Sequence, residues 1–237
     1  MQRHQLSKAE SYYERLEPPS QGDQLNLGRI YLAQRNFDKA ILHAQKIVSE
    51  NKSATPTYLI LGSSYLMQDD LLSAKKNFIE AGKLAPNFFL PRYYIGLTHS
   101  VEGAYQSSID AFDNTLKIAP NLKEAILCAA IVSQVIGGTA KSRDLLTKYQ
   151  KIAPDDFLYL ISMGNLFISE HDFKQADQYY KRADTLFVDF GLANFKTYDY
   201  FGKFSSAEMG LFSLANFYFR EGLFNKTIEL VAWFKTG

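Results

Sequence analysis

A period of 34 residues runs through most of this chain of 237 residues and constrains its fold more than any other feature. Small residues recur at that interval in two series, and proline recurs in a third. The first series is Gly28, Gly62, Gly96, Ala130 and Gly164. The second is Ala40, Ala74, Ser108, Ser142 and Ala176, and the third is Pro86, Pro120 and Pro154. A fixed period of roughly 20–50 residues is typical of stacked structural repeats.

Each period contains two apolar-periodic segments, shown best by residues 57–67 and 71–86. Apolar side chains three or four residues apart form one stripe along each segment, as in helices that bury a single face. Gly62 and Ala74 are small enough to let the two helices cross closely. Pro86 ends the second helix because it lacks an amide hydrogen and clashes with the preceding turn. The pattern predicts one antiparallel helix pair in each period and no β-strand.

These positions resemble the signature of the tetratricopeptide repeat, or TPR. In the clearest period the signature is carried by Leu61, Gly62, Tyr65, Ala74, Phe78, Ala81 and Pro86. The resemblance covers residues 21–190 as five TPR-like repeats. It implies an all-α fold, a right-handed α-solenoid of antiparallel helix pairs known as the TPR superhelix.

Both ends of the chain depart from the period. Residues 1–20 resemble part of a helix from a preceding repeat or an N-terminal cap. Residues 191–207 are an insert, expected to be a helix or loop, and residues 208–237 resemble a sixth, incomplete repeat. A start on half a repeat and an end without the polar cap that solenoids usually carry suggest a fragment of a longer protein.

In the TPR family the first helix of each pair lines a concave groove that binds ligands. By repeat phase, the resemblance implies a groove lined by Leu25, Arg29, Leu59, Ser63, Tyr93, Leu97, Leu127, Ile131, Ile161, Asn165, Phe212 and Asn216. These side chains are mainly apolar, so the expected ligand is a protein partner that offers an amphipathic helix or an extended apolar peptide. Lysine in place of Leu97 or Ile131 is expected to abolish its capture without unfolding the chain.

Other chemistry finds no support in the sequence. The four histidines do not pair at metal-ligand spacing, and no cofactor-binding or catalytic constellation is present. The residues from Gly137 to Ser142 resemble a phosphate loop only superficially, because Ala140 rather than glycine precedes Lys141. With a net charge of +1, nucleic-acid binding is not expected, and no apolar run approaches the ~18 residues that span a bilayer.

The sequence therefore favours a non-enzymatic scaffold or adaptor for protein–protein interaction, without cofactor or metal. One alternative is the regulatory or targeting fragment of a larger enzyme. Another is a bacterial envelope TPR component of a polysaccharide or protein export system, since the order of repeats resembles TPR lipoproteins of exopolysaccharide systems. The expected location is cytoplasmic, or the periplasm if the chain is a fragment of an exported protein. The partner's identity and the oligomeric state stay open.

Overall fold

The computed structural model describes residues 2–50, 54–188, 213–216, 218–219, 222–223, 225–229 and 232. These residues contain eleven labelled helices and further helical residues at 213–216, 218–219 and 225–229, and none of them lies in a strand. The helices are α1 (Gln2–Glu14), α2 (Gln21–Ala33), α3 (Phe37–Glu50), α4 (Thr55–Met67), α5 (Leu71–Leu84), α6 (Phe89–Val101), α7 (Tyr105–Ile118), α8 (Lys123–Val135), α9 (Thr139–Gln150), α10 (Phe157–Ser169) and α11 (Phe173–Val188).

The period of the sequence is also the period of the helices. The first helices of the pairs, α2, α4, α6, α8 and α10, each begin 34 residues after the previous one. The second helices, α3, α5, α7, α9 and α11, follow the same step. The prediction of an all-α solenoid of helix pairs is therefore confirmed. The predicted segment 71–86 ends as a helix at Leu84, two residues before Pro86.

The chain divides into two compact units, Met1–Thr98 and His99–Gly237, called unit 1 and unit 2 below. In unit 1, α1 packs on α2, and α2 packs on both α3 and α4. In unit 2, α8 packs on α7, α9 and α10, and α10 packs on α9 and α11. Helices such as α3, α4, α8 and α10 therefore contact both their pair mate and an adjacent pair, which is how stacked repeats bury apolar stripes that no single pair could cover.

The small residues of the repeat lie where helices cross. Ala40, Ala74, Ser108, Ser142 and Ala176 are all fully buried. Two glycines of the first helices face aromatic rings: a Cβ on Gly62 would meet the ring of Phe78, and a Cβ on Gly164 would meet the ring of Tyr180. Since Phe78 and Tyr180 are themselves buried, the rings occupy the space that a larger residue would need.

The turn between the two helices of a pair has one backbone geometry throughout. Its central residue takes a left-handed φ between 61° and 78° at Arg35, Asp69, Gly103, Gly137, His171 and Gly222. One residue later, an amide donates to the carbonyl five positions back, as Asp70 does to Tyr65 at 2.9 Å and Leu223 does to Tyr218 at 2.8 Å. These bonds close the end of the first helix in the manner of a Schellman motif.

Candidate partner-binding groove

On α2 and α4, in unit 1, part of the predicted groove is accessible. Leu25 and Leu59 are partly buried, and Arg29, one turn after Leu25 on α2, is exposed. Ser63 lies one turn after Leu59 on α4 and is buried. Residues four apart share one face of a helix, so each of these helices presents two predicted groove residues on one face. They are Leu25 and Arg29 on α2, and Leu59 and Ser63 on α4, and Arg29 is the one charged residue of the four.

From α6 onward the predicted groove residues are covered. Tyr93 and Leu97 are buried, and the four members of the set on α8 and α10 are no more than 2% exposed: Leu127, Ile131, Ile161 and Asn165. Residues 125–134 of α8 are all buried. Ten residues make nearly three turns of helix, so every face of α8 is shielded from solvent, including the face that the repeat assigns to the groove.

Side chains near the C-terminus contact this part of the chain in unit 2. The Tyr218 hydroxyl and the Ser100 Oγ are 2.8 Å apart, and Asn165 Nδ2 donates to the Ser213 Oγ at 2.8 Å. Asn165 is a predicted groove residue, and Ser100 lies one turn after Leu97 on α6, on the same stripe. The segment thus contacts the stripe at both the third and the fifth helix pair.

We call the described residues from 213 to 229 the C-terminal hairpin. Helical residues lie on both sides of its turn at Gly222, and the Thr227 Oγ1 donates to the carbonyl of Ala215 at 3.4 Å. Ser213, Leu214, Ala215 and Tyr218 are almost completely buried, whereas Asn216, a predicted groove residue, is partly buried. Phe212, the remaining predicted groove residue, lies outside the described residues.

The C-terminal hairpin has the local turn of a repeat but not the contacts of a pair stacked at the end of the array. A stacked pair contacts only its neighbour, while Tyr218 reaches Ser100, 118 positions earlier in the chain. Apart from these contacts, the predicted domain boundaries and the groove assignment stay predictions, and the insert at 191–207 lies outside the described residues.

The electrostatics of this region are those of a packed interior. Burial raises the pKa of Tyr218 well above its usual value of 10, and the nearby Cys128, Tyr105 and Glu229 raise it further. Burial also raises the pKa of Tyr180, whose hydroxyl donates to Asn165 Oδ1 at 2.8 Å. Both tyrosines therefore stay neutral hydrogen-bonding groups at physiological pH.

The histidines and acidic residues form no metal site in the part of the chain that is described. No group of three His, Cys, Asp or Glu side chains there could hold a metal ion. His99 Nδ1 contacts the Glu102 carboxylate at 3.1 Å, and His171 occupies a left-handed turn position. Among the same residues, no helix is both long and apolar enough to cross a membrane.

One expectation about variants needs correction. Lysine at Leu97 or Ile131 was expected to leave the fold intact, but these side chains are 1% and 0% exposed. An unpaired ammonium group at such a position carries a large desolvation cost. Either variant would therefore destabilise the fold, and neither separates partner binding from folding.

Sequence reasoning missed the roles of Ser100, Ser213 and Tyr218. Tyr218 stands at the repeat position of Tyr65, so the repeat pattern places it in a sixth helix pair. No local pattern signals its contact with Ser100, because the two residues are 118 positions apart in the chain. The sequence feature that could have indicated this contact is the insert, because it shifts the last helix pair out of the 34-residue period.

The helix pairs define a helical-repeat protein of the α-solenoid class. No family model matches the chain. It is 30% identical over 128 residues to the Bos taurus BBSome complex member BBS4, and 24% identical over 197 residues to the Macaca fascicularis tetratricopeptide repeat protein 29. It is 20% identical over 148 residues to the anaphase-promoting complex subunit CDC16 of Saccharomyces cerevisiae. These matches cover 54%, 76% and 62% of this chain, and 24%, 39% and 18% of the respective relatives.

Solved structures share the fold. The MamA protein matches with a TM-score of 0.62 at 19% identity, covering 74% of this chain and 97% of MamA. PilF of Pseudomonas aeruginosa matches with a TM-score of 0.64 at 13% identity, covering 98% of this chain and 92% of PilF. YrrB, described as a TPR protein with an unusual peptide-binding site, matches with a TM-score of 0.58 at 14% identity, covering 68% and 83%. Together with the 34-residue helix pairs, these likenesses show that the chain has the fold of TPR proteins, as its repeat signature predicted.

Proposed function

We propose that this chain is a non-enzymatic scaffold that binds a helix of a partner protein in the groove of unit 1. The observation that carries the proposal is the accessible stripe on α2 and α4, where Leu25 and Leu59 are partly exposed beside the exposed Arg29. Two partly exposed leucines on neighbouring first helices suit the apolar face of an amphipathic helix, which binds through anchors three or four residues apart.

The single charge refines the expected ligand. Arg29 is the only charged member of the predicted groove. A guanidinium group at the edge of an apolar stripe favours a carboxylate on the partner, because the two can form a bidentate pair. We therefore expect an amphipathic helix with an Asp or Glu at the border of its apolar face.

The relatives support the class of activity in general terms. BBS4 is named as a member of the BBSome complex and CDC16 as a subunit of the anaphase-promoting complex. YrrB is described as having a peptide-binding site. This chain spans less than half of each of the two complex subunits, so their partners are not carried over to it.

Photo-crosslinking from the groove tests the proposal. The photoreactive residue p-benzoylphenylalanine replaces Leu59 in one variant and Leu72 in another, and each full chain is incubated with lysate of the native organism. Leu72 is the matched control because it is 78% exposed and lies on α5, the second helix of the same pair. We expect an adduct from position 59 that mass spectrometry maps to a helical segment of a partner, and none from position 72.

A charge reversal provides the second arm. Arg29→Glu alters an exposed side chain, so the helical content should stay at the wild-type value while the adduct at position 59 is lost. Equal adducts from positions 59 and 72, or an adduct that survives Arg29→Glu unchanged, would count against binding in this groove.

A further inference from the structure

The predicted groove residues on α8 and α10, in unit 2, are more deeply buried than Leu25, Arg29 and Leu59 on α2 and α4, in unit 1. Residues at equivalent repeat positions have opposite exposure: Leu25 and Leu59 are partly exposed, whereas Leu127 and Ile161 are buried. Neighbouring helix pairs leave the concave stripe open in a solenoid, and Leu25 and Leu59 show that this position of the repeat can stay partly exposed. The additional burial in unit 2 therefore comes from a further element.

The C-terminal hairpin is such an element, because it contacts the stripe directly. Tyr218 and Ser213 are five positions apart on helical residues, and each makes a hydrogen bond to the stripe, to Ser100 and to Asn165 respectively. The apolar Leu214 and Ala215 lie between them and are 0% and 2% exposed. The segment is thus enclosed by its surroundings, with apolar contacts between two polar contacts that fix its position.

The polar contacts make the docking specific. A buried hydroxyl without a partner costs free energy, so Tyr218 and Ser213 are satisfied only where Ser100 and Asn165 meet them. A shift of the hairpin by one residue would break both bonds. The outer side of the hairpin needs no partner in the groove, since Ile228 there is 67% exposed.

We infer that the C-terminal hairpin is an intramolecular ligand of the unit 2 groove, which closes that groove until a helix from another protein displaces it. The displacing helix would present the same anchors, a tyrosine with a small hydroxyl residue five positions before it. Because the hairpin is tethered to its groove, its effective concentration is high. A helix from another protein must therefore have a higher intrinsic affinity for the groove than the hairpin has in order to displace it. The inference rests on the proposed function only in assigning ligand binding to the concave stripe.

Cys128 reports directly on this closure. It is the only cysteine of the chain, it is buried on α8, and its thiol is near enough to the Tyr218 hydroxyl to influence the pKa of that tyrosine. A thiol-specific reagent such as 5,5′-dithiobis(2-nitrobenzoate) can reach the buried Cys128 only when the packing around it opens. A substitution that releases the hairpin from the groove should therefore raise the labelling rate under native conditions.

The experiment compares three full-length chains: wild type, Tyr218→Ala and the matched control Ile228→Ala. Tyr218→Ala removes the largest anchor and should raise the labelling rate about tenfold or more, because the rate follows the population of the open state. Ile228→Ala truncates a side chain of the same hairpin that faces solvent, and its rate should stay within about twofold of wild type. Far-UV circular dichroism and hydrogen exchange in α10 and α11 should be unchanged in both variants.

A peptide with the sequence of residues 213–229 supplies the second measurement. Labelled with fluorescein, it should bind Tyr218→Ala at least about tenfold more tightly than wild type, whose groove is occupied. An unchanged labelling rate in Tyr218→Ala, or equal peptide binding by both chains, would overturn the inference. Global unfolding of Tyr218→Ala would also overturn it, because a displaceable ligand leaves its receptor folded. None of these outcomes depends on crosslinking from Leu59, so the two proposals can fail separately.

Discussion

A Cβ atom placed on Gly62 would lie 2.5 Å from Cε1 of Phe78, nearer than real Cβ contacts come. Gly62 is on the first helix of its pair and Phe78 on the second, and both are buried. The ring also stacks on Tyr94 of α6, with centroids 4.9 Å apart. Held by that neighbour, Phe78 has little room to retreat, so the close approach of α4 and α5 depends on the absence of a side chain at Gly62.

Gly62→Ala should therefore destabilise unit 1 in spite of the better helix propensity of alanine. Overpacking a well-filled core typically costs about 1–3 kcal/mol, which exceeds the gain of about 1 kcal/mol from replacing a helical glycine. The measurement is the urea midpoint followed by circular dichroism at 222 nm. Gly82→Ala on α5 is the control, since its Cβ would meet only Pro91 at the ordinary distance of 3.6 Å. A Gly62→Ala midpoint equal to or above that of Gly82→Ala would contradict the prediction.

The left-handed turns lead to a second prediction, for Gly103. Its φ is 77°, and no atom lies within 4 Å of where a Cβ would be. Gly103→Ala therefore introduces backbone strain without a steric clash, and should lower the free energy of unfolding by about 1–2 kcal/mol. Gly22→Ala near the start of α2 is the matched control, because no left-handed φ is required there. If both substitutions left the urea midpoint unchanged, the turn geometry would not be contributing to stability.

The helix pairs could be predicted because their signals are local. Glycine or alanine at the crossing points and proline after the second helix recur every 34 residues, and each acts through its near neighbours. The left-handed turn position was missed because Arg35, Asp69 and His171 occupy it in three of the six turns. Only a glycine at every turn would have made that geometry visible in the sequence.

The closed half of the groove could not be predicted for a different reason. Repeat phase assigns Leu25 and Leu127 the same environment, yet one is partly exposed and the other is fully buried. The difference depends on Tyr218 and Ser213, which follow an insert that breaks the period. A periodic pattern describes what neighbouring repeats do to one another, and it contains nothing about a segment that returns from outside the array.

Asp70 provides a prediction that depends on pH. Its carboxylate caps α5 by accepting from the Ser73 amide at 3.0 Å, and this hydrogen bonding lowers its pKa below the usual 3.8. A carboxyl group with a lowered pKa in the folded state contributes stability that is present above pH 3.8 and is lost as the pH falls through the folded value. Asp70→Asn keeps a capping oxygen but does not titrate, so wild type should lose stability relative to this variant below about pH 4.

Urea midpoints of the two proteins at pH 7 and pH 2.5 give the comparison. The loss of stability caused by Asp70→Ala at pH 7 measures the contribution of the cap to the free energy of unfolding, which we expect to be about 1 kcal/mol. The carboxylate is exposed, so solvent screening keeps its electrostatic share of that figure small. A difference between wild type and Asp70→Asn that did not change with pH would show that the charge of Asp70 does not contribute.

Asn165 connects α11 to the C-terminal hairpin through two hydrogen bonds, and these lead to a final prediction. Its Oδ1 accepts from the Tyr180 hydroxyl on α11, and its Nδ2 donates to Ser213 of the C-terminal hairpin, both at 2.8 Å. All three side chains are almost fully buried. Asn165→Leu keeps the volume but removes both bonds, and should cost about 1–3 kcal/mol because buried hydroxyls lose a partner. Tyr180→Phe removes only the first bond and should cost less.

A double-mutant cycle separates the two contacts. If Asn165 and Tyr180 interact as described, Asn165→Leu with Tyr180→Phe should be less destabilising than the sum of the single changes, by about 1 kcal/mol. Cys128 labelling distinguishes the second contact: Asn165→Leu should speed it because the hairpin loses an anchor, whereas Tyr180→Phe should not. Additive free energies of unfolding would show that the Tyr180 hydroxyl does not depend on Asn165. Equal labelling rates in the two single variants would show that the Asn165 bond to Ser213 does not hold the hairpin in place.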